Sequence, residues 1–478
     1  MSKHIIHKQK ILLRIPPGID AYFLQNRISN ILKNDLPEAL ETLFDKISPK
    51  GNILRIDKLE LNLGTVTQAN LDSEVKQKVI EQLAEAIEQA KSDHKGTVEI
   101  SQRQSYLTSL MGFLEHGYLP WYSMVKDFST WENEMLQTFS SEEWASLIAK
   151  LKNDLRINDY RIKRLSLQFS DHFLQTILFN LHDGLEKKWA VVNKDLHSLA
   201  SATRKNYPFW QQAIIVALSS ENEKDFVSGM LTDILSELQL IRLKKDKEIK
   251  PLQNDILQKI KRLEDSIQNE EVLRSLQKLS GSLNASTNES IDKDIEAELA
   301  KKRKKSKPSD DEEVLYIENC GIVILQPFLQ MYFEELRLLD ELHFKNETAQ
   351  HRAVLLLHYL ATGETKVAEM NLLLPKLICA LDFDEPVPNK IKLRKKEKEE
   401  SETLLKSVLG HWEPLHGTSI EGLRQRFFQR EGRLTPTETG WKLRVEQKTV
   451  DILLDKLPWG YSTIKLPWMK DILNVEWG

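Results

Sequence analysis

Histidine and cysteine side chains are the first candidates for chemistry in this chain, because both can bind metal ions and take part in catalysis. His351 and His358 lie seven positions apart in one apolar segment, "HRAVLLLHYL". On a helix this spacing puts them on one face but about 10 Å apart along the axis, which is too far for one metal ion. The carboxylates of Glu334 and Glu335 are adjacent, so on a helix they point about 100° apart. We therefore predict structural histidines and no metal site.

The two cysteines, Cys320 and Cys379, both lie in apolar sequence. Such surroundings are typical of small buried side chains rather than of a disulfide. The sequence has no Cys-x-x-Cys pair, no phosphate-binding loop ending in Gly-Lys-Ser/Thr, no Gly-x-Ser-x-Gly and no His-Glu-x-x-His. We therefore predict no catalytic, cofactor-binding or metal-binding residue, and a protein that is not an enzyme.

The overall composition narrows the class of partner. The chain has 478 residues, of which 29% are charged, and a net charge of −4. This near balance argues against a general nucleic-acid binder, and no stretch approaches the ~20 apolar residues of a membrane helix. The run "KKRKKSK" before "SDDEE" is typical of a solvated tether, with nucleic-acid binding as the alternative. Without a signal peptide, we expect the protein in the cytoplasm.

Residues 1–70 are predicted to form a small α+β domain. "KILLRI" is a strand candidate that stops at Pro16, and the helical pattern that follows is expected to split at Pro37. A second strand is indicated in "NILRIDKLELNLG", where Leu59, Leu61 and Leu63 alternate with polar residues. Leu54 and Ile56 have the opposite parity, which indicates a bend or bulge near Asp57-Lys58.

Residues 71–280 are predicted to form a helical middle. Within 71–93 an apolar stripe indicates one long helix, and residues 252–267 have the spacing of a bundle helix or short coiled coil. Residues 281–313 have few large apolar side chains and are predicted to be a charged, low-complexity linker.

Residues 314–478 are predicted to form a helical C-terminal domain. "GRLTPTETGWKLRVEQ" indicates a β-hairpin with Trp441, Leu443 and Val445 on one face. The predicted fold class is thus mainly α, extended or multi-domain, with a small α+β N-terminal unit and a C-terminal domain that contains a β-hairpin.

The tripeptide Leu-Pro-Trp occurs three times. Proline fixes its own φ and holds the preceding residue extended, so each tryptophan follows a stiff, non-helical stretch. The rings either close local cores or dock partners, since aromatic residues dominate both. The candidate docking residues are Leu119, Pro120, Trp121, Leu457, Pro458, Trp459, Leu466, Pro467 and Trp468.

Ordered blocks of the chain resemble the tape measure protein family of contractile injection systems, the phage-tail-like particles of the extracellular, antifeeding-prophage type. Most blocks are C-terminal and end on the paired Leu-Pro-Trp segments, as in "LDKLPWGYSTIKLPWM". Three lie upstream, "ILRIDKLELNLG", "FLEHGYLPWY" and the weaker "RLSLQFSDHFL". The C-terminal blocks are Tyr316–Asp340, Ala349–Glu364, Leu374–Leu381, Leu423–Leu434, Gly440–Glu446 and Leu454–Met469.

The resemblance implies a length ruler that sets the length of the inner tube and sheath during assembly. It also implies that the helical middle, residues 71–280, varies in length within the family. Its implied partners are the inner tube protein, baseplate or hub and spike proteins, and the tube terminator cap, with self-association in addition and without nucleic acid or membrane. The resemblance further implies assembly in the cytoplasm, with the ruler either released or retained in the tube lumen.

Helix geometry bounds what such a ruler could span. Since a helix rises about 1.5 Å per residue, the whole chain would reach ~720 Å as one helix. Residues 71–310 alone would reach ~360 Å at the same rise.

Two alternatives to the ruler function remain. One is a baseplate component or assembly chaperone of the same particle, and the other is a nucleic-acid or membrane-associated adaptor.

Overall fold

The structure, a computed structural model, describes residues 4–242 and 314–477, apart from residues 17, 49–50, 94–95, 126, 155–158 and 204–207. The chain forms two compact units. The first comprises residues 1–110 and 120–138, and the second comprises residues 111–119 and 139–478. The coiled-coil candidate at 252–267 and the linker at 281–313 lie outside the described residues, and the four-part domain division stays a prediction.

The first unit is built around a small helical core. Pro37 opens a second helix, as predicted, because a proline at a helix start has no amide hydrogen to leave unpaired. The long helix places Leu71, Val75 and Val79 in the core, and this confirms its predicted stripe. The elements are the helices Ala21–Asn30, Pro37–Ile47, Leu71–Asp93 and Phe128–Thr138, the helix Gln102–His116 up to residue 110, the π-helical turn Ile31–Asp35, and two antiparallel strands, β1 (Asn52–Ile56) and β2 (Thr97–Ser101).

One strand prediction in this unit is wrong, and a second is confirmed only in its first half, where β1 spans Asn52–Ile56. "KILLRI" has no regular secondary structure, because a strand needs a paired neighbour and none of the described residues pairs with it. Residues 59–63 also lie outside any strand, since β1 ends at Ile56. Leu61 and Leu63 nonetheless pack on the core, so the alternation of leucines reports side-chain burial without backbone pairing.

The second unit begins with a layer of packed helices. Phe209–Ser219 is central, since it packs most closely against three of the others, Asp159–Gln168, Asp171–Leu181 and Glu223–Arg242. The Ser170 hydroxyl caps its helix, because its oxygen accepts a hydrogen bond of 3.2 Å from the amide of Phe173. Serine is a favoured residue at this position for that reason. The helices of this layer are Ser141–Asp154, Asp159–Gln168, Asp171–Leu181, Leu185–Ala202, Phe209–Ser219 and Glu223–Arg242.

The C-terminal part of the second unit combines helices with a five-stranded sheet. The strand order is β3-β6-β7-β9-β8, in which β7 and β9 are parallel and the other neighbours antiparallel. The sheet strands are β3 (Leu315–Ile317), β6 (Gly432–Thr437), β7 (Gly440–Val445), β8 (Thr463–Ile464) and β9 (Ile472–Trp477), with a short pair, β4 (Leu339–Asp340) and β5 (His343–Phe344), outside it. The helices are Gln326–Glu335, Glu347–Thr362, Leu373–Ile378, Lys395–His411 and Ile420–Leu423, with short 3₁₀ or π turns at Cys320–Leu325, Glu369–Asn371, Glu413–Leu415, Arg424–Phe428 and Thr449–Lys456.

The predicted hairpin is confirmed. β6 and β7 pair with Thr437 opposite Gly440, which leaves a two-residue turn, and Leu443 and Val445 are buried while Trp441 is half-buried. The mainly helical fold class with a small β region is likewise confirmed. None of the described helices is long and apolar enough to cross a membrane.

Both cysteines are free and buried, as predicted. Beside Cys320 the backbone is packed so closely that a Cβ atom on Gly321 would lie 1.6 Å from the carbonyl oxygen of Phe427. Only glycine fits at this position, because no flexible side chain could move to relieve the clash.

Candidate docking segments and a buried charge cluster

The first of the paired C-terminal segments packs against its own unit. The Trp459 indole donates a 2.9 Å hydrogen bond from Nε1 to the carbonyl oxygen of Ile324. Its ring meets the ring of Phe328 edge-on, with centroids 5.0 Å apart. Leu457 is half-buried and Pro458 is exposed. The proline therefore faces solvent while the ring faces the protein.

The second segment is buried more deeply. Trp468 is 6% exposed, and its Nε1 donates a 2.8 Å hydrogen bond to the carbonyl oxygen of Ile378. The ring packs near Phe333 and Phe344, with centroids 5.7 Å and 5.3 Å away. Leu466 is also buried and Pro467 is exposed. Trp468 thus belongs to the core of its unit.

The upstream segment, in contrast, presents its ring to solvent. Trp121 is 39% exposed and stacks on His7 with ring centroids 4.4 Å apart. Leu119 and Pro120 are half-buried. Docking by the three segments stays a prediction. Of their side chains, Trp121, Pro458 and Pro467 are the exposed ones, and a partner could reach these without any rearrangement.

The helix Asp159–Gln168 carries a cluster of buried charges that the sequence did not indicate. Arg164, Glu369 and Lys376 are all 0% exposed. Glu369 accepts a 3.0 Å bond from Arg164 Nε on one carboxylate oxygen and a 2.5 Å bond from Lys376 Nζ on the other. We call these three residues the buried charge cluster. The carboxylate neutralises one of the two positive charges and lies within hydrogen-bond distance of both cations, as buried ions require.

Backbone carbonyl groups complete the hydrogen bonding of the two cations. Arg164 donates to the carbonyl oxygens of Leu114 and Asp384, the latter at 2.6 Å, and Lys376 donates to that of Phe383 at 2.8 Å. The backbone of Gly117 also approaches closely, since a Cβ atom there would lie 2.7 Å from Glu369 Oε1. The glycine backbone therefore packs directly against the carboxylate.

Gln168 extends the polar contacts of this helix by one turn. Its side-chain oxygen accepts a 2.9 Å bond from the amide of Glu369, and its side-chain nitrogen donates a 2.7 Å bond to the carbonyl oxygen of Val387. The helix Asp159–Gln168 is thereby fastened to residues 369–389 by charges and hydrogen bonds. The apolar core of residues 315–475 does not include this helix.

Burial sets the electrostatics of the cluster. Burial lowers the pKa of Lys376, because the loss of water destabilises the charged ammonium more than the Glu369 carboxylate stabilises it. A signal for this residue was available in the sequence, where one lysine interrupts the apolar run "LLLPKLICAL". The contribution of Arg164 could not be found in the same way, because this residue lies more than 200 positions from Glu369.

His351 lies near two carboxylates, Glu347 and Glu385, in an arrangement that could hold a cation. One ligand atom from each of the three side chains lies within 4.8 Å of the others. The Lys163 ammonium sits between the carboxylates, 3.0 Å from Glu385 and 3.3 Å from Glu347. A metal ion would have to displace this ammonium. The desolvation of His351 lowers its pKa, which keeps the imidazole neutral.

His358 occupies an apolar site on the same helix. It is 5% exposed, and desolvation lowers its pKa to about 4. Desolvation also raises the pKa of both cysteine thiols, so neither thiol is activated as a nucleophile.

A family model described as contractile injection system tape measure protein matches residues 3–477. No curated protein and no solved structure matches the chain. The matched span contains all three Leu-Pro-Trp segments and the whole buried charge cluster.

Proposed function

Since the chain belongs to the contractile injection system tape measure protein family, a family of length-determining scaffolds, we propose that its middle residues, about 180–313, supply the measured length. The parts on either side would then dock the components at the two ends of the tube. The family match over residues 3–477 is the observation that carries this assignment.

The helices within the proposed ruler favour a protein that is stored folded and lengthened in use. Leu185–Ala202, Phe209–Ser219 and Glu223–Arg242 contain 18, 11 and 20 residues. Arranged end to end, they would span ~74 Å, whereas packed together they span no more than the ~30 Å of the longest. Glu223–Arg242 packs against both of the others. To contribute their full length, these helices must separate.

The partners follow from this role. A ruler of this family works with the tube and sheath components of its particle and lies within the tube lumen. For this chain we propose contacts with the inner tube protein, with the baseplate or hub at one end and with the terminator cap at the other. The exposed positions Trp121, Pro458 and Pro467 are the proposed contact points. The role is stoichiometric and requires no catalytic turnover.

A series of internal deletions tests the ruler. Deleting 12, 24 or 36 residues from within 245–313 removes no described core residue. Particle length, measured by electron microscopy, is expected to fall linearly with the number of residues removed. Removing 36 residues should shorten the particle by ~54 Å at the helical rise, or by ~120–130 Å at the spacing of an extended chain. The slope therefore reports the conformation of this segment in the particle.

The matched control replaces the same 36 residues by an unrelated sequence of equal length, which should leave particle length unchanged. Particles of normal length from the deletion variants would refute the proposal for this segment. Loss of particles from every deletion, with none shortened, would instead favour a baseplate component or assembly chaperone.

A further inference from the structure

An extended segment near the N-terminus exposes consecutive apolar side chains. Ile11, Leu12 and Leu13 are 43%, 84% and 43% exposed. Every residue from 8 to 14 is exposed, and the described residues from 4 to 16 have no regular secondary structure. Three successive exposed apolar residues are uncommon on a monomer and typically mark an interaction surface. We call residues 10–15 the arm.

The arm has the pattern of a strand without a partner. Ile11, Leu13 and Ile15 alternate with Lys10, Leu12 and Arg14. An extended chain would therefore place the first three side chains on one face, which is wholly apolar, and the two cations with Leu12 on the other. No acidic residue occurs between positions 4 and 19. The arm therefore suits a sheet edge that is apolar on one face and acidic on the other.

Such an edge lies in the same unit, at β2. Within the described residues β2 pairs with β1 alone, and the two form a two-stranded sheet. Val98 is 54% exposed and its neighbour Glu99 is also exposed. Val98 and Ile100 share one face of β2, and Glu99 points to the other. A short sheet with an open edge is a template for another strand.

We propose that the arm of one copy adds as a third strand to the β2 edge of a second copy. Whether the two strands run parallel or antiparallel, one register matches the apolar face to the apolar face and places Arg14 opposite Glu99. Leu13 and Ile15 then lie opposite Val98 and Ile100. Main-chain hydrogen bonds supply affinity in this mode of recognition, and the side chains fix the register.

The complementary charge is what favours a second copy over other occupants. The charged residues of the arm are both basic, while the edge it fits carries Glu99 next to an exposed valine. Glu99 is exposed, and its Oε1 accepts a 2.8 Å hydrogen bond from Asn52 Nδ2, which leaves its other carboxylate oxygen for Arg14. Two copies can exchange arms reciprocally and form a closed dimer, or associate head to tail into a longer array. The inference does not depend on the ruler function, because it concerns only the first unit.

Analytical ultracentrifugation of the full chain is the experiment. The chain is expected to exceed its monomer mass of 55.5 kDa in a concentration-dependent way. The double variant Leu13→Ser/Ile15→Ser should weaken association by ~100-fold or more, since two side chains lose their burial. Arg14→Glu or Glu99→Lys alone should weaken it by about fivefold. Mixing the two single variants, or combining them in one chain, should restore association.

A matched control is Leu342→Ser, which changes an exposed leucine in the other unit and should leave association unchanged. A monomeric wild-type chain at all concentrations would overturn the proposal. A second result would also overturn it: association restored in the chain that carries both Arg14→Glu and Glu99→Lys, but not in the mixture of the two single variants. That result would mean that the arm pairs within its own chain. The arm would be assigned to a membrane instead if the wild-type chain bound anionic vesicles, and if the serine variant lost this binding without a change in its mass in solution.

Discussion

The buried charge cluster gives the sharpest prediction about stability. The change is Glu369→Gln, which keeps the shape of the side chain and removes its charge. Arg164 and Lys376 then remain in a fully buried site without an anion. Removing one partner of a buried ion pair costs about 3–5 kcal/mol, because the remaining charge cannot be solvated. We expect a loss of this size in the free energy of unfolding at pH 7.

The pH dependence of the variant separates this mechanism from a simple packing defect. Burial already lowers the pKa of Lys376, and removing Glu369 should lower it further. The unfolded chain then binds more protons than the folded chain up to a pH of about 10.4, so stability should rise with pH across that window. The variant should therefore recover part of its loss between pH 7 and pH 10, relative to the wild-type chain.

Urea denaturation followed by circular dichroism measures both effects. The control is Glu399→Gln, which breaks the exposed pair of Lys395 and Glu399 and should cost less than ~1 kcal/mol. The triple variant Arg164→Met/Glu369→Leu/Lys376→Met replaces the whole cluster by apolar side chains and should regain most of the loss. A loss below ~1 kcal/mol for Glu369→Gln would show that the cluster is hydrated and refute the argument.

Three further predictions concern other parts of the fold. Since the folded pKa of His358 is about 4 and its unfolded pKa about 6.5, stability should fall by about 3 kcal/mol as pH drops from about 6.5 to about 4, and His358→Gln should remove this component of an acid-denaturation curve. Trp468→Ala should lower the free energy of unfolding, measured by heat or urea, by about 3–5 kcal/mol. Trp121→Ala should barely change stability and should instead reduce the yield of particles. Equal losses of stability in the two variants would contradict this contrast. Gly321→Ala should prevent stable folding because of the clash at the carbonyl oxygen of Phe427, while Gly410→Ala, in a helix with open space around it, should raise the melting temperature slightly.

Local signals in the sequence predicted the local elements well. The proline at position 37, the apolar stripe of residues 71–93 and the turn between β6 and β7 each depend on neighbouring residues, and each is present. The burial of the cysteines followed from their apolar surroundings in the same way.

Features that depend on distant partners could not be predicted. The arm has a strand pattern, but pairing also requires an available edge, and that edge is set by tertiary structure. Trp121, Trp459 and Trp468 share one tripeptide, yet their exposure differs, because it depends on what each segment packs against. The partners of Arg164 lie on segments far along the chain, and no spacing rule connects them.

The position of β9 bears on how faithfully a ruler can be produced. β9 lies between β7 and β8, inside the sheet, and β3 pairs with β6 more than 100 positions further along. The ribosome must therefore complete residues 472–477 before this sheet can close. A ruler shortened by premature termination also lacks β9, an interior strand of its sheet, whereas one shortened by internal deletion keeps it. Translation errors thus yield misfolded chains rather than shorter working rulers.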